Sequence, residues 1–218
     1  MRIPTLKKIK TAFMNPGKTL DSIFLLANGY QYKMRYRLTK RDILIGYGFR
    51  VRGKLSIKGP GKVVIGNNVF ADGTSHPVTP WTYSKDAVIV IGDNVFLNGT
   101  RFGCAKRIEI GHDTIIADCR IIDTDFHSVC PDKRTDPAYV ESAPVKIGNN
   151  VWLAIDCVVL RGVSIGDGST VRAMSVVVGN IPEYSVYGGN PAVFLKQAPR
   201  ASSDLNQETD NNEKEYRA

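Results

Sequence analysis

The chain has 218 residues, 43% of them hydrophobic, and a formal net charge of +8. That length is one domain's worth of chain, and no apolar run approaches the roughly 18 residues that a membrane-spanning helix needs. Residues 1–40 carry nine Lys or Arg against one acid, Asp21, so the positive charge belongs to the N-terminal segment; the remainder is balanced, and no nucleic-acid partner is expected.

In the first region, residues 1–42, Leu6, Ile9, Lys10, Phe13 and Met14 fall at helical spacing. Asn15-Pro16-Gly17 interrupts the pattern, and Leu20 to Leu38 mixes apolar, Tyr and basic residues. This predicts one or two helices that cap exposed strand edges. A second reading rests the same basic surface on an anionic membrane leaflet, a peripheral contact through residues 1–40. The apolar run at 22–27 is short for a secretion signal and lacks a small-residue cleavage site.

An aliphatic residue then recurs every six positions. Ile45, Val51, Ile57 and Val63 come first; Ile65, Ile91 and Leu97 follow after a slip, then Ile110, Ile116 and Ile122. Ile147, Leu153, Val159, Ile165, Val171 and Val177 follow without a gap, with a small or branched residue at the fifth place (Val151, Cys157, Val163, Ser169, Ser175). Six fits neither the helical period of 3.6 nor the strand period of two. It predicts a short strand and a turn, three to a triangular coil, with coils stacked as a parallel β-helix over about 43–182. A sandwich would show turn signals every 8 to 12 residues. The fold class is therefore all-β, with a short helical N-terminal segment and a polar, disordered tail at 196–218.

Residues 75–87 and 128–144 lack hexads and are predicted to be loops, the usual place for substrate-binding groups. Cys104, Cys119, Cys130 and Cys157 are scattered with no CxxC pair, which fits reduced thiols in a cytoplasm. Of three histidines, His127 lies in IDTDFHSV, where a neutral imidazole could take a proton from a nucleophile. On a strand, Asp125 would share its face and orient the ring, with Asp123 close by. His112 occupies a turn slot, while His76 lies in a loop with Trp81 and Tyr83, where it could touch an acceptor. A zinc site of the gamma carbonic anhydrase type needs three imidazoles, two of them as His-x4-His; His112 and His127 are 15 apart, so no metal is expected.

IGDNVFLN (91–98), DTDFHS (123–128), PVKIGNNVWLA (144–154), LRGVSIGDGSTV (160–171) and IPEYSVYGGNPA (181–192) resemble the hexapeptide-repeat acyltransferases. Residues 43–195 are nearest the maltose, galactoside and polysaccharide O-acetyltransferase branch. The resemblance implies a left-handed β-helix, a homotrimer with sites between subunits, acetyl-CoA as donor and a sugar-type acceptor. It makes His127 the general base and Asn98 an acceptor contact. Trp152 would line the CoA channel with Ala173 and Ser175, Gly189 would lie near the adenine, and Lys196 would meet the 3′-phosphate. Arg172 and Met174 replace family glycines, and Val193 replaces an Arg, leaving Arg161 and Arg172 as substitutes. The acidic pair of the small-sugar enzymes is missing, so maltose or galactoside specificity does not transfer, and the basic N-terminus fits an acceptor made at a membrane. An amino sugar or antibiotic N-acetyltransferase, or a scaffold without activity, are the other readings of this architecture.

Overall fold

The computed structural model describes residues 16–200. Helix α1 spans Pro16–Arg37. The helical spacing at Leu6–Met14 lies outside the described residues, as does the tail beyond 200.

Among the described residues eighteen strands follow, and all neighbours but the last pair are parallel. They form three faces. β1 (Ile43–Ile45), β3 (Lys62–Ile65), β5 (Val88–Ile91), β8 (Arg107–Ile110), β11 (Val145–Ile147) and β14 (Ser164–Ile165) make the first. β2 (Arg50–Leu55), the first half of β4 (Phe70–Thr82), β6 (Phe96–Asn98), β9 (Ile115–Ala117), β12 (Trp152–Leu153), β15 (Thr170–Val171) and β17 (Ser185–Gly188) make the second. The second half of β4, β7 (Arg101–Cys104), β10 (Arg120–Ile122), β13 (Val158–Val159) and β16 (Val176–Val177) make the third. β18 (Val193–Gln197) returns antiparallel along β17.

The hexad residues stack in register: Ile65, Ile91, Ile110, Ile147 and Ile165 form one inward column of the first face. These side chains are buried, each stabilising the coil by roughly 1.5–3 kcal/mol. The corner between the first and second faces repeats one turn: Gly48, Asn68, Asn94, Asp113, Asn150 and Gly168 all have φ between +53° and +66°. Only Gly, Asn and Asp enter that region at low cost. They and their neighbours form ladders, such as Asn94 donating to Asp113 at 3.0 Å and Asn149 to Asp167 at 3.0 Å.

The helix caps the open end of the prism. Gly29 sits where a Cβ would lie 2.0 Å from the Phe49 carbonyl, and the Ile57 N–H donates to the buried Tyr36 hydroxyl.

Two expectations are corrected. Residues 75–82 are not a loop but part of β4, whose alternating Val78, Pro80 and Thr82 point inward. The inward residue after Ile116 is Ile121, not Ile122. The corner between the second and third faces explains this. Ala71 to Val78 spans seven positions, Leu97 to Phe102 five, Ile116 to Ile121 five, and Leu153 to Val159 the regular six.

Candidate active site

After β10 the chain leaves the coil and returns at β11. Asp123, fully buried, holds the exit. Its carboxylate accepts the N–H groups of Ala105, Lys106 and Arg107 at 2.6, 2.8 and 2.7 Å, and lies 3.4 Å from the Cys104 thiol. Burial and then the Asp123 charge push the Cys104 pKa up, so this thiol stays protonated.

The next residues turn sharply. Phe126 has φ +62°, and the His127 N–H donates to the Asp125 carbonyl at 2.7 Å, closing a γ-turn. The strand geometry expected for Asp125 and His127 therefore does not form. Asp125 points instead to Arg161 at 2.7 Å, and Arg161 also meets Glu141 at 2.5 Å. Its hydrogen bond to Asp125 raises the Arg161 pKa. Arg161, expected as a substitute phosphate contact, clamps the loop to the coil.

The exposed His127 ring lines a cavity of about 440 Å³ with Tyr83, Ala105, Thr124, Phe126 and Pro137. Burial first, then Asp123 and Cys104, raise the Tyr83 pKa and keep its hydroxyl protonated. Tyr83 meets Phe126 edge-on at 5.2 Å and Trp81 at 5.3 Å, and Lys58 lies 4.8 Å over Trp81. Gly103 makes this possible: a Cβ there would lie 3.1 Å from Phe126 and 3.2 Å from the Tyr83 hydroxyl. The pocket is aromatic on one side and polar at Thr124 and Ser142, which hydrogen-bond at 2.9 Å.

A second cavity, of about 650 Å³, runs along the second face. Trp152, Arg172, Ala173 and Lys196 line it with Ala154, Thr170, Val186 and Leu195. Ser175 does not face this space. It points inward, donating to the Arg172 carbonyl at 2.6 Å and accepting the Gly189 N–H at 3.0 Å. Ser175 and Gly189, with φ +105° at the latter, shape the turn behind the cavity.

Asn98 stands at neither place. It ends β6 at the corner between the second and third faces, whereas His127 follows β10 at the corner between the third and first. Within one chain these two residues are apart. Beside Asn98 lie Ser75, His76, Arg101 and Asp118. Among the described residues no group of three His, Cys, Asp or Glu side chains is placed to hold a metal.

Sequence reasoning grouped Tyr83 with His76 rather than with His127, and missed Phe126 as a cavity wall and Asp123 as the anchor of the 105–107 turn. A small residue, Gly103, between two aromatic-bearing segments was the available signal.

Residues 144–179 match the family described as bacterial transferase hexapeptide (six repeats). The putative lipopolysaccharide biosynthesis O-acetyl transferase WbbJ of Escherichia coli K12 is 33% identical over 174 residues, 72% of this chain and 85% of that protein. The putative colanic acid biosynthesis acetyltransferase WcaF of the same strain is 36% identical over 90 residues, covering 41% of this chain and 47% of that one. AntD, an N-acyltransferase from Bacillus cereus solved with dTDP and 3-hydroxybutyryl-CoA, shares the fold. Its TM-score is 0.59 at 21% identity, over 84% of this chain and 96% of AntD.

Proposed function

The chain belongs to the hexapeptide-repeat acyltransferases, and from that premise we propose that it moves an acetyl group from acetyl-CoA to a hydroxyl of a sugar in a polysaccharide precursor. The observation that carries this reading is His127 exposed at the rim of a cavity with aromatic and polar walls. A sugar has both an apolar face for Tyr83 and Phe126 and hydroxyls for the polar side. The names of WbbJ and WcaF point to lipopolysaccharide and colanic acid, and WbbJ is named an O-acetyl transferase, which supports an oxygen acceptor over an amine.

In this mechanism neutral His127 accepts the proton of the acceptor hydroxyl as its oxygen attacks the thioester carbonyl. The tetrahedral intermediate collapses with cleavage of the C–S bond. The CoA thiolate then takes the proton from the imidazolium, leaving an acetyl ester and CoA. The attack is direct, so the mechanism needs no covalent acyl-enzyme and no cysteine.

The cavity beside Trp152 is the natural place for acetyl-CoA. Trp152 gives an apolar wall for the pantetheine arm, and Arg172 and Lys196 supply positive charge for phosphates. His127 and this cavity lie on different faces of one chain, so we infer a homotrimer whose sites combine two copies. Asn98 would come from the copy that does not supply His127. The basic N-terminal segment suits a cytoplasmic enzyme working at a membrane surface on a lipid-linked acceptor.

The test is incubation with labelled acetyl-CoA and a panel of nucleotide sugars, lipid-linked sugars and oligosaccharides. An alkali-labile product on a sugar confirms an ester. An alkali-stable amide, or no transfer to any sugar, overturns the reading.

A further inference from the structure

The pairing expected for Asp125 and His127, a carboxylate orienting an imidazole, exists at a different histidine. His76 Nδ1 lies 3.0 Å from both oxygens of Asp118. The Asp118 side chain is 9% exposed, and the His76 side chain is 55% exposed. Ser75 Oγ reaches Asp118 at 3.3 Å and Asn98 at 3.4 Å, and an Arg101 Nη lies 3.5 Å from the carboxylate. The Asp118 N–H donates to the Asn98 carbonyl at 2.6 Å.

The backbone is built around this pair. Asp118 has φ +54°, and at Gly99, φ +56°, a Cβ would lie 2.4 Å from the Asp118 carboxylate. Gly99 is thus required both by conformation and by the space the carboxylate fills. This is also the corner where the repeat breaks. The extra length of β4 between Ala71 and Val78 lifts Ser75 and His76 across two coils, and the next two coils are each shortened by one residue.

In the neutral ring, a carboxylate at Nδ1 holds the proton there and leaves a lone pair on Nε2, for which no hydrogen-bond partner is seen among the described residues. We propose that His76, oriented by Asp118, and Asn98 together form a sugar-hydroxyl subsite. Nε2 accepts a hydrogen bond from one hydroxyl of the acceptor, and the Asn98 amide engages a neighbouring one. This assignment rests on the sugar-acceptor reading above. His76 and His127 stand at different corners, so they meet one acceptor only across two copies of the chain.

The full-length chain is compared with its His76→Asn, His76→Ala and Asp118→Asn variants, by thermal melting and by acetyl transfer to the panel. Asparagine places an N–H where Nδ1–H stood, so His76→Asn keeps the bond to Asp118 and loses only Nε2. It should melt with the parent and keep the acetyl-CoA KM, while the acceptor KM rises about tenfold, the loss of one hydrogen bond. Parental acceptor kinetics in His76→Asn would overturn the proposal, since a strut between two coils needs only the Nδ1 side.

If the parent acetylates no sugar, the functional reading fails, and nitrogen NMR of the His76 ring then decides the subsite alone. The probes are the methyl glycosides of glucose, galactose and N-acetylglucosamine. An Nδ1–H tautomer whose Nε2 resonance moves with a glycoside supports the subsite. An Nε2–H tautomer, or an unmoved resonance, overturns it.

Discussion

Replacing Asp123 by Ala removes an acceptor shared by three backbone N–H groups at 2.6, 2.8 and 2.7 Å. An orphaned buried donor costs about 1–3 kcal/mol. Lys106 and Arg107 are exposed and Ala105 half-buried, so water can reach part of the opened turn. The expected loss is therefore near the lower end, about 3–4 kcal/mol for the three together. For a chain of this size, that lowers Tm by about 6–16 °C. Asp123→Asn keeps one acceptor oxygen and should lose about half as much. Thermal melting with hydrogen exchange at residues 105–107 reads both effects, and exchange there should speed up before the coil melts. A Tm for Asp123→Ala within about 2 °C of the parent would refute the reasoning, because the carboxylate would then not be what holds the turn.

Trp152→Ala should raise the acetyl-CoA KM about tenfold and leave the acceptor KM unchanged, since the ring walls the cavity with Arg172 and Lys196; steady-state kinetics varying each substrate separates the two. Stability should fall on acidification. Asp93 and Asp167 are held below the usual carboxylate range chiefly by the N–H groups of Asn67 and Asn149, and Asp113 chiefly by the His112 side chain. Their folded pKa values lie below the unfolded value of about 3.9, so their contribution is present above that pH and is lost as pH drops through the folded values. Melts should be flat from neutrality to about pH 5 and fall below pH 4, with a shallower fall in an Asp93→Asn, Asp167→Asn double variant.

The coil was legible because its signal is local and repeated. Ile147, Val151, Leu153, Cys157 and Val159 all point inward where the hexad places them. The corner turns were legible too, since Asn94, Asp113 and Asn150 are residue types that accept positive φ. A phenylalanine in that region is not such a signal, and Phe126 is what separates Asp125 from His127. The Asp118–His76 pair joins residues 42 apart, brought together by coils of unequal length, and no hexad count shows it. The CoA-side expectation divides by depth: Trp152, Arg172, Ala173 and Lys196 share a cavity, whereas Ser175 takes the inward fifth place of its hexad.

The most direct measurement compares acetyl transfer by the parent and His127→Ala on an acceptor that the parent modifies, with melting curves for both. The proposed role requires kcat to fall by about 10² to 10⁴-fold while Tm and the acetyl-CoA KM stay as they were, because the ring is exposed and supports no buried contact. Transfer at an undiminished rate by His127→Ala would contradict the account and move the base to another side chain.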